Sequence, residues 1–205
     1  DIGAHKGESI ERFKTLFSKI NIHSFEPSNT VFEKYLTKFK NDSNVFLNNI
    51  AISNKNGSRE FFNYEYSNLS SFYKLNQFNA LKKEIVKCKT IDKYTQNKNF
   101  NKIDLVKIDT QGNDINVLKG AQKTLKIVKV VLIELTHLDS YGNSTTFGDV
   151  ENLMPNFILY DITKKVKYSQ KKGFQPKKKL FCNKKILDGY LSWCNAIYIN
   201  KSFFN

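Results

Sequence analysis

Asp1-Ile2-Gly3-Ala4-His5-Lys6-Gly7 stands directly before the first helical pattern of the chain. Its glycines allow a sharp turn and let a ligand approach the backbone. A helix N-terminus behind such a turn offers free N–H groups and partial positive charge to an anionic ligand group. The spacing is G-x-x-x-G rather than G-x-G-x-x-G, so the dinucleotide fingerprint is incomplete. On these seven residues alone, a plain turn with a cap reads equally well.

Outward from the turn, Ile10, Phe13, Leu16, Phe17 and Ile20 recur at helical spacing, which predicts a helix over 8–19. Asn21 to Phe25 reads as a short strand. Ser28 is a candidate N-cap for a helix striped by Val31, Phe32, Tyr35, Leu36 and Phe39. Val45 to Ile52 reads as the next strand, and the Asn56-Gly57 turn leads into an apparent hairpin strand, Arg59 to Phe62. Residues 64–82 are polar with scattered aromatics and read as a loop or short helix. Ile103 to Ile108 is a strand, and Ile115, Leu118, Ala121 and Leu125 stripe a helix. Val128 to Leu135 is almost continuously apolar, as for a strand buried on both faces. Phe157 to Ile162 and Ala196 to Ile199 have no helical pattern between them and read as an antiparallel edge pair. Alternating strands and helices indicate an α/β layered sheet with parallel central strands.

The chain of 205 residues reads as a single domain, 1–205. Its formal charge of +14 invites a nucleic-acid or anionic-membrane reading. Ten lysines and no acid fall between Lys164 and Lys185, leaving 23 basic against 19 acidic residues elsewhere. Residues 164–190 therefore read as a lysine-rich insertion between the last two strands. Arg12 and Arg59 are the only arginines and asparagine occurs 24 times, so compositional drift explains the charge without a chosen partner. No nucleic-acid partner is expected. No run of 18 apolar residues exists, so no helix is expected to span a membrane. Cys88, Cys182 and Cys194 are odd in number and lack C-x-x-C spacing, which fits reduced thiols in a cytoplasmic protein.

Acids recur at the ends of the central strands. Glu26, in Phe25-Glu26-Pro27, lies 23 residues after Gly3, where an acid can accept hydrogen bonds from both ribose hydroxyls of an adenosine ligand. Pro27 stops that strand. Asp109 ends the strand Ile103 to Ile108, and Glu134 lies near the end of the apolar strand, with His137 three residues later. In open α/β sheets the ligand crevice lies beyond the carboxyl ends of the strands. Asp1, Glu26, Asp109 and Glu134 therefore converge on one place.

At this point the chain resembles a known family. Asp1 to Gly7, Phe25-Glu26-Pro27, Asn49-Ile50-Ala51-Ile52, Thr90-Ile91-Asp92, Lys107 to Gly112, Leu118-Lys119-Gly120-Ala121 and Ile133-Glu134 are similar, in order and spacing, to the FkbM-type methyltransferases. The resemblance runs from residue 1 to about 165. It implies a Rossmann-like methyltransferase sandwich with a mostly parallel seven-stranded sheet, ordered 3-2-1-4-5-7-6. It implies S-adenosyl-L-methionine as cofactor and transfer of its methyl group to a hydroxyl of a sugar in a glycan or of a secondary metabolite. Asp1, Gly3, Ala4 and Gly7 would cradle the methionine part. Glu26 and Pro27 would hold the ribose, Asn49 and Ala51 would border the adenine, and Asp109 would join the same site. Two residues depart from the family pattern. Gln111 stands where an acid is common and carries no charge, and Asp114 is one methylene shorter than the usual acid. The strand that normally delivers the glycine turn lies upstream of Asp1, so the natural protein is expected to begin earlier.

Methyl transfer to a hydroxyl needs alignment of the acceptor oxygen and benefits from a general base. His137 is the first candidate base, because imidazole titrates near neutrality. Asp109 is the second, and Glu134 completes the catalytic set. Asp109, Glu134 and His137 lack a fixed metal spacing, so no metal is expected. His5 falls in the glycine turn, where backbone normally matters, and His23 reads as structural. Tyr64, Tyr66, Phe72 and Tyr73 read as loop packing, with a lid over the acceptor as the functional alternative. The rival readings are a nicotinamide-dependent oxidoreductase, a basic nucleic-acid module, and a methyltransferase-like domain that has lost activity.

Overall fold

Strand order explains how the distant acids meet. The computed structural model describes residues 1–75, 79–136, 144–167 and 191–204. The strands are β1 (Ile22–Phe25), β2 (Val45–Asn48), β3 (Ala51–Ile52), β4 (Gly57–Asn63), β5 (Lys82–Lys89), β6 (Ile103–Ile108), β7 (Val128–Thr136), β8 (Phe157–Lys167) and β9 (Leu191–Asn200). The α-helices are α1 (Glu8–Leu16), α2 (Asn29–Val31), α3 (Ile91–Asn97), α4 (Asp114–Lys119) and α5 (Phe147–Leu153). The fold is mixed α/β.

β1 pairs with β2 in parallel, and β6 pairs with β7 in parallel. Ile2 joins the two groups, bridging in parallel to Phe25 on one side and Ile108 on the other. β9 lies between β7 and β8 and is antiparallel to both. The C-terminal pair is thus antiparallel as expected, with β9 inside the sheet and β8 at its edge. A separate small sheet has the order β3-β5-β4.

Alternation along β7 and β9 builds the main core. Val131, Ile133 and Leu135 of β7 and Cys194, Ala196 and Tyr198 of β9 are fully buried in one cluster with Val117, Leu118, Val150 and Met154. Burying each large apolar side chain contributes about 1.5–3 kcal/mol. The intervening Val130, Leu132 and Glu134 are only half-buried, so β7 is closed on one face rather than two. The helices α4 and α5 cover the closed face.

Three boundaries differ from those read off the sequence, each for a local reason. The run Val45 to Ile52 is two strands in two sheets. Asn48 Nδ2 donates to the Ser24 carbonyl and Asn49 Nδ2 to the Glu26 carbonyl, so side chains replace ladder bonds and the chain turns. Helix α1 stops at Leu16 because Phe17 is extended, at φ −129°. β4 does not hairpin with its predecessor but pairs with β5, a strand absent from the sequence reading. In β5 the buried residues are Glu84, Val86 and Cys88 while Ile85 is exposed, so polarity does not follow the pleat. Ser28 caps the following helical turn as expected, accepting from the Val31 N–H. The lysine-rich segment lies outside the described residues from 168 to 190.

Candidate functional site

The glycine turn is held by backbone bonds before any side chain acts. Gly3 and Ala4 N–H both donate to the Phe25 carbonyl at 3.0 Å, and Ile2 N–H donates to Lys107 at 2.9 Å. Gly3 sits at φ 83° and a Cβ there would overlap the Asp109 carbonyl oxygen, so only glycine fits. Gly7, at φ 88°, is the N-cap of α1, and a Cβ would press on the Phe39 ring. Ala4 is buried at the turn. The turn therefore lies in one groove against the ends of β1 and β6.

Glu26 faces it. The side chain is 7% exposed. Its Oε2 accepts from His5 N–H and its Oε1 from Ser28 N–H, both at 2.9 Å. Burial pushes its carboxyl up to about 7, against the two backbone donors that favour the charged form. Each oxygen keeps a lone pair for a further donor. Asn49 Nδ2 fixes the Glu26 and Pro27 carbonyls from behind, at 2.9 and 3.3 Å. Gly3, Ala4, Glu26, Pro27, Ala51 and Asp109 line one cavity of about 490 Å³. Asn49 is not on its wall and acts as a support.

The second acidic group forms beyond the end of β6. Lys107 Nζ lies 3.4 Å from both Asp1 Oδ1 and Asp109 Oδ2, and donates to the Gly3 carbonyl at 3.2 Å. Asp1 is closed off from solvent and lies behind the cavity rather than on its wall. Gln111, at φ 52°, donates its amide N–H to Asp109 Oδ1 at 2.9 Å and to Glu134 Oε2 at 3.1 Å. Burial, with the charges of Asp109 and Asp114 nearby, pushes Glu134 up to about 8, while Lys107 and Gln111 oppose this. Asp114 is a loop cap rather than a site acid. It accepts from Thr110 N–H and Thr110 Oγ1, at 2.8 and 2.9 Å, and burial raises its pKa. Asp109 and Glu134 are thus brought together. Glu134 is not on the cavity wall, and His137 lies outside the described residues. Among the described residues, no three His, Cys, Asp or Glu side chains cluster to hold a metal.

Several cavity residues went unnoticed in the sequence. Lys107 had a signal, a lysine inside an apolar strand. Gln111 was noted only as a missing acid. Arg12, Ser67 and Thr110 line the cavity with no local pattern to mark them. His23 is structural, as read: it stacks on Phe46 and bonds Tyr94 at 2.7 Å, and burial pushes it down to about 4. Tyr64 is buried with its hydroxyl accepting from Leu75 N–H, and Phe72 packs edge-on to Phe61 while also lining the cavity. Tyr66 is exposed.

The chain is similar to known methyltransferases. The family model described as the methyltransferase FkbM domain matches residues 1–175. The 2-O-methyltransferase NoeI of Sinorhizobium fredii (strain NBRC 101917 / NGR234) is 23% identical over 175 residues, covering 78% of this chain and 71% of NoeI. The crystal structure of methyltransferase FkbM from Methylobacillus flagellatus KT matches with a TM-score of 0.54 and 14% identity, over 97% of this chain. This chain spans 42% of the length of that protein. The plantazolicin methyltransferase BamL, crystallised with a triazolic desmethylPZN analog and SAH, gives a TM-score of 0.47 at 10% identity, over 98% of this chain and 76% of BamL. With most of its length matched by the family model, the chain belongs to the FkbM methyltransferase family.

Proposed function

We infer that the protein transfers the methyl group of S-adenosylmethionine to a hydroxyl oxygen, on a sugar of a glycan or on a secondary metabolite. The observation that carries this reading is Glu26, a buried carboxylate on the cavity wall with both oxygens already aimed by backbone N–H groups. A ribose diol donates two hydrogen bonds and completes that carboxylate. Gly3, Ala4 and Gly7 hold the methionine part, with Lys107 on the wall beside them and Asp1 behind. Pro27 and Ala51 border the nucleoside, and Asn49 braces that wall. When bound, the cofactor supplies an electrophilic methyl carbon on a positively charged sulfur.

Asp109, on the cavity wall, orients the acceptor, and Glu134 behind it, held high by burial, carries a proton below about pH 8 and supports Asp109 through Gln111. His137 is the proton acceptor in this reading. The name of NoeI, a 2-O-methyltransferase, supports oxygen as the nucleophile. The fold that accompanies the reading is one domain, 1–205, with a seven-stranded sheet ordered 3-2-1-4-5-7-6; since β8 runs to Lys167, the lysine-rich insertion is cut back from 164–190 to the residues after that strand. Ile2 would end the central strand, which its parallel bridges to both β1 and β6 support. The buried thiol of Cys88 fits a cytoplasmic location.

The test is binding of S-adenosylmethionine, its demethylated product and NAD to the chain, followed by transfer of labelled methyl to neutral methyl glycosides. Binding of the first two without NAD, and label in a base-stable ether, is the expected result. Tight binding of NAD alone returns the protein to the oxidoreductases.

A further inference from the structure

The turn carries a second chemical group besides its backbone. His5 lies at φ 49° between Gly3 and Gly7, and its N–H serves Glu26. Its side chain points elsewhere. Nδ1 lies 3.1 Å from Glu8 Oε1, and Nε2 lies 2.8 Å from Ser67 Oγ. Glu8 opens helix α1, and its other oxygen accepts from Lys6 N–H at 3.1 Å, which fixes the carboxylate. Ser67 reaches the same point from the segment after β4, 62 residues away. His5, Glu8 and Ser67 all line the 490 Å³ cavity.

The chemistry of the three groups sets the direction of the bonds. An ionised carboxylate only accepts, so Nδ1 must carry the hydrogen that points to Glu8. The neutral ring then has its lone pair on Nε2, aimed at a hydroxyl that donates to it. A base within hydrogen-bond reach of a hydroxyl, with its far nitrogen oriented by a carboxylate, is the arrangement that activates oxygen nucleophiles. Here the hydroxyl occupying the position belongs to Ser67.

We propose that His5, oriented by Glu8, is the proton acceptor for the substrate hydroxyl, which takes the place that Ser67 Oγ holds beside Nε2. This rests on the methyl-transfer reading above, and replaces His137 as the base. As the acceptor oxygen bonds to the methyl carbon, the carbon–sulfur bond breaks and its electron pair stays on sulfur. The hydroxyl proton passes to Nε2, and the imidazolium faces Glu8 until it returns the proton to water. A turn that binds the donor thereby also places the base beside the reacting end.

A latch that merely ties Ser67 to the turn is lost equally in Ser67→Ala, whereas a base keeps transfer there, because the substrate hydroxyl takes that place and meets the Nε2 lone pair. The tautomer that a base requires is read by nitrogen NMR of the full chain with ¹⁵N-labelled histidine, with and without the demethylated cofactor. Its three histidines are assigned by loss of one signal in His5→Asn. Asparagine tolerates the left-handed backbone there, and its N–H still reaches Glu26. The expected result is the Nδ1–H tautomer at His5, with the bias reduced in Glu8→Gln. Binding of the demethylated cofactor to His5→Asn should stay within about threefold. Its methyl transfer to neutral methyl glycosides should fall roughly 10²–10⁴-fold, the usual contribution of a general base. Glu8→Gln, on the exposed side of the pair, should lose transfer in the same direction without disturbing the turn. An Nε2–H tautomer in the unaltered chain overturns the proposal. So does transfer that survives both substitutions but is lost in His137→Asn. If the unaltered chain methylates none of the glycosides, the acceptor class proposed above is wrong, while an Nε2–H tautomer would still overturn the role of His5.

Discussion

Glu26, buried, and Glu134, half-buried, are carboxylates whose pKa is raised by desolvation, yet they are built in opposite ways. Glu26 receives two backbone N–H groups from a turn and a helix start. Those donors are fixed by the fold, so the carboxylate is prepared for a ligand before any ligand arrives. Glu134 receives one side-chain amide, from Gln111, which it shares with Asp109. Nearby Asp109 and Asp114 push it further from ionisation. One region is a carboxylate held by two backbone donors, and the other is an acid cluster balanced by Gln111 and Lys107.

The largest effect should come from the turn. Gly3→Ala places a methyl group on the Asp109 carbonyl and adds strain at positive φ, so binding of the demethylated cofactor should become undetectable by calorimetry. Glu26→Gln keeps the shape but loses charge-assisted acceptance, worth about 1.5–3 kcal/mol per bond. A loss of roughly 10–100-fold in affinity is expected.

Gln111→Glu tests the other side. It adds a third carboxylate beside Asp109 and Glu134, raising the folded-state pKa of Glu134 further. A raised carboxyl binds more protons folded than unfolded, so its stability contribution is present at low pH and lost as pH rises through the folded value. Urea midpoints should therefore match the unaltered chain near pH 5 and fall by about 1 kcal/mol equivalent near pH 8.5. Equal midpoints at both values remove the acid-cluster picture.

A smaller effect separates the regions by pH. A ribose diol is best accepted by ionised Glu26, whose pKa is about 7 without ligand. Affinity for the demethylated cofactor should weaken as pH falls through 7, by at most about tenfold per unit. Protons should be released on binding at pH 6, seen as a dependence of binding heat on the buffer.

The sequence made some of this legible and hid the rest. Apolar runs located β6 and β7 closely, because a core strand must keep its buried face apolar. β5 escaped, because its buried positions include Glu84 while Ile85 faces solvent. The break between β2 and β3 depends on Asn49 reaching the Glu26 carbonyl, a contact 23 residues away that no local pattern records. In the site, glycine spacing and the acid after β1 were readable because backbone geometry dictates them. His5, Glu8 and Ser67 were not, since His5 and Ser67 are joined only by the fold. At His5 the glycine turn points to a backbone role, although the side chain makes two hydrogen bonds.

The central claim is that the turn and Glu26 bind the cofactor while Glu134 serves the acceptor end. Calorimetric titration of the demethylated cofactor into the unaltered chain, Glu26→Gln and Glu134→Gln tests it most directly. The account expects Glu26→Gln to bind at least tenfold more weakly and Glu134→Gln to stay within about threefold. Equal losses in the two variants, or the larger loss in Glu134→Gln, would contradict it.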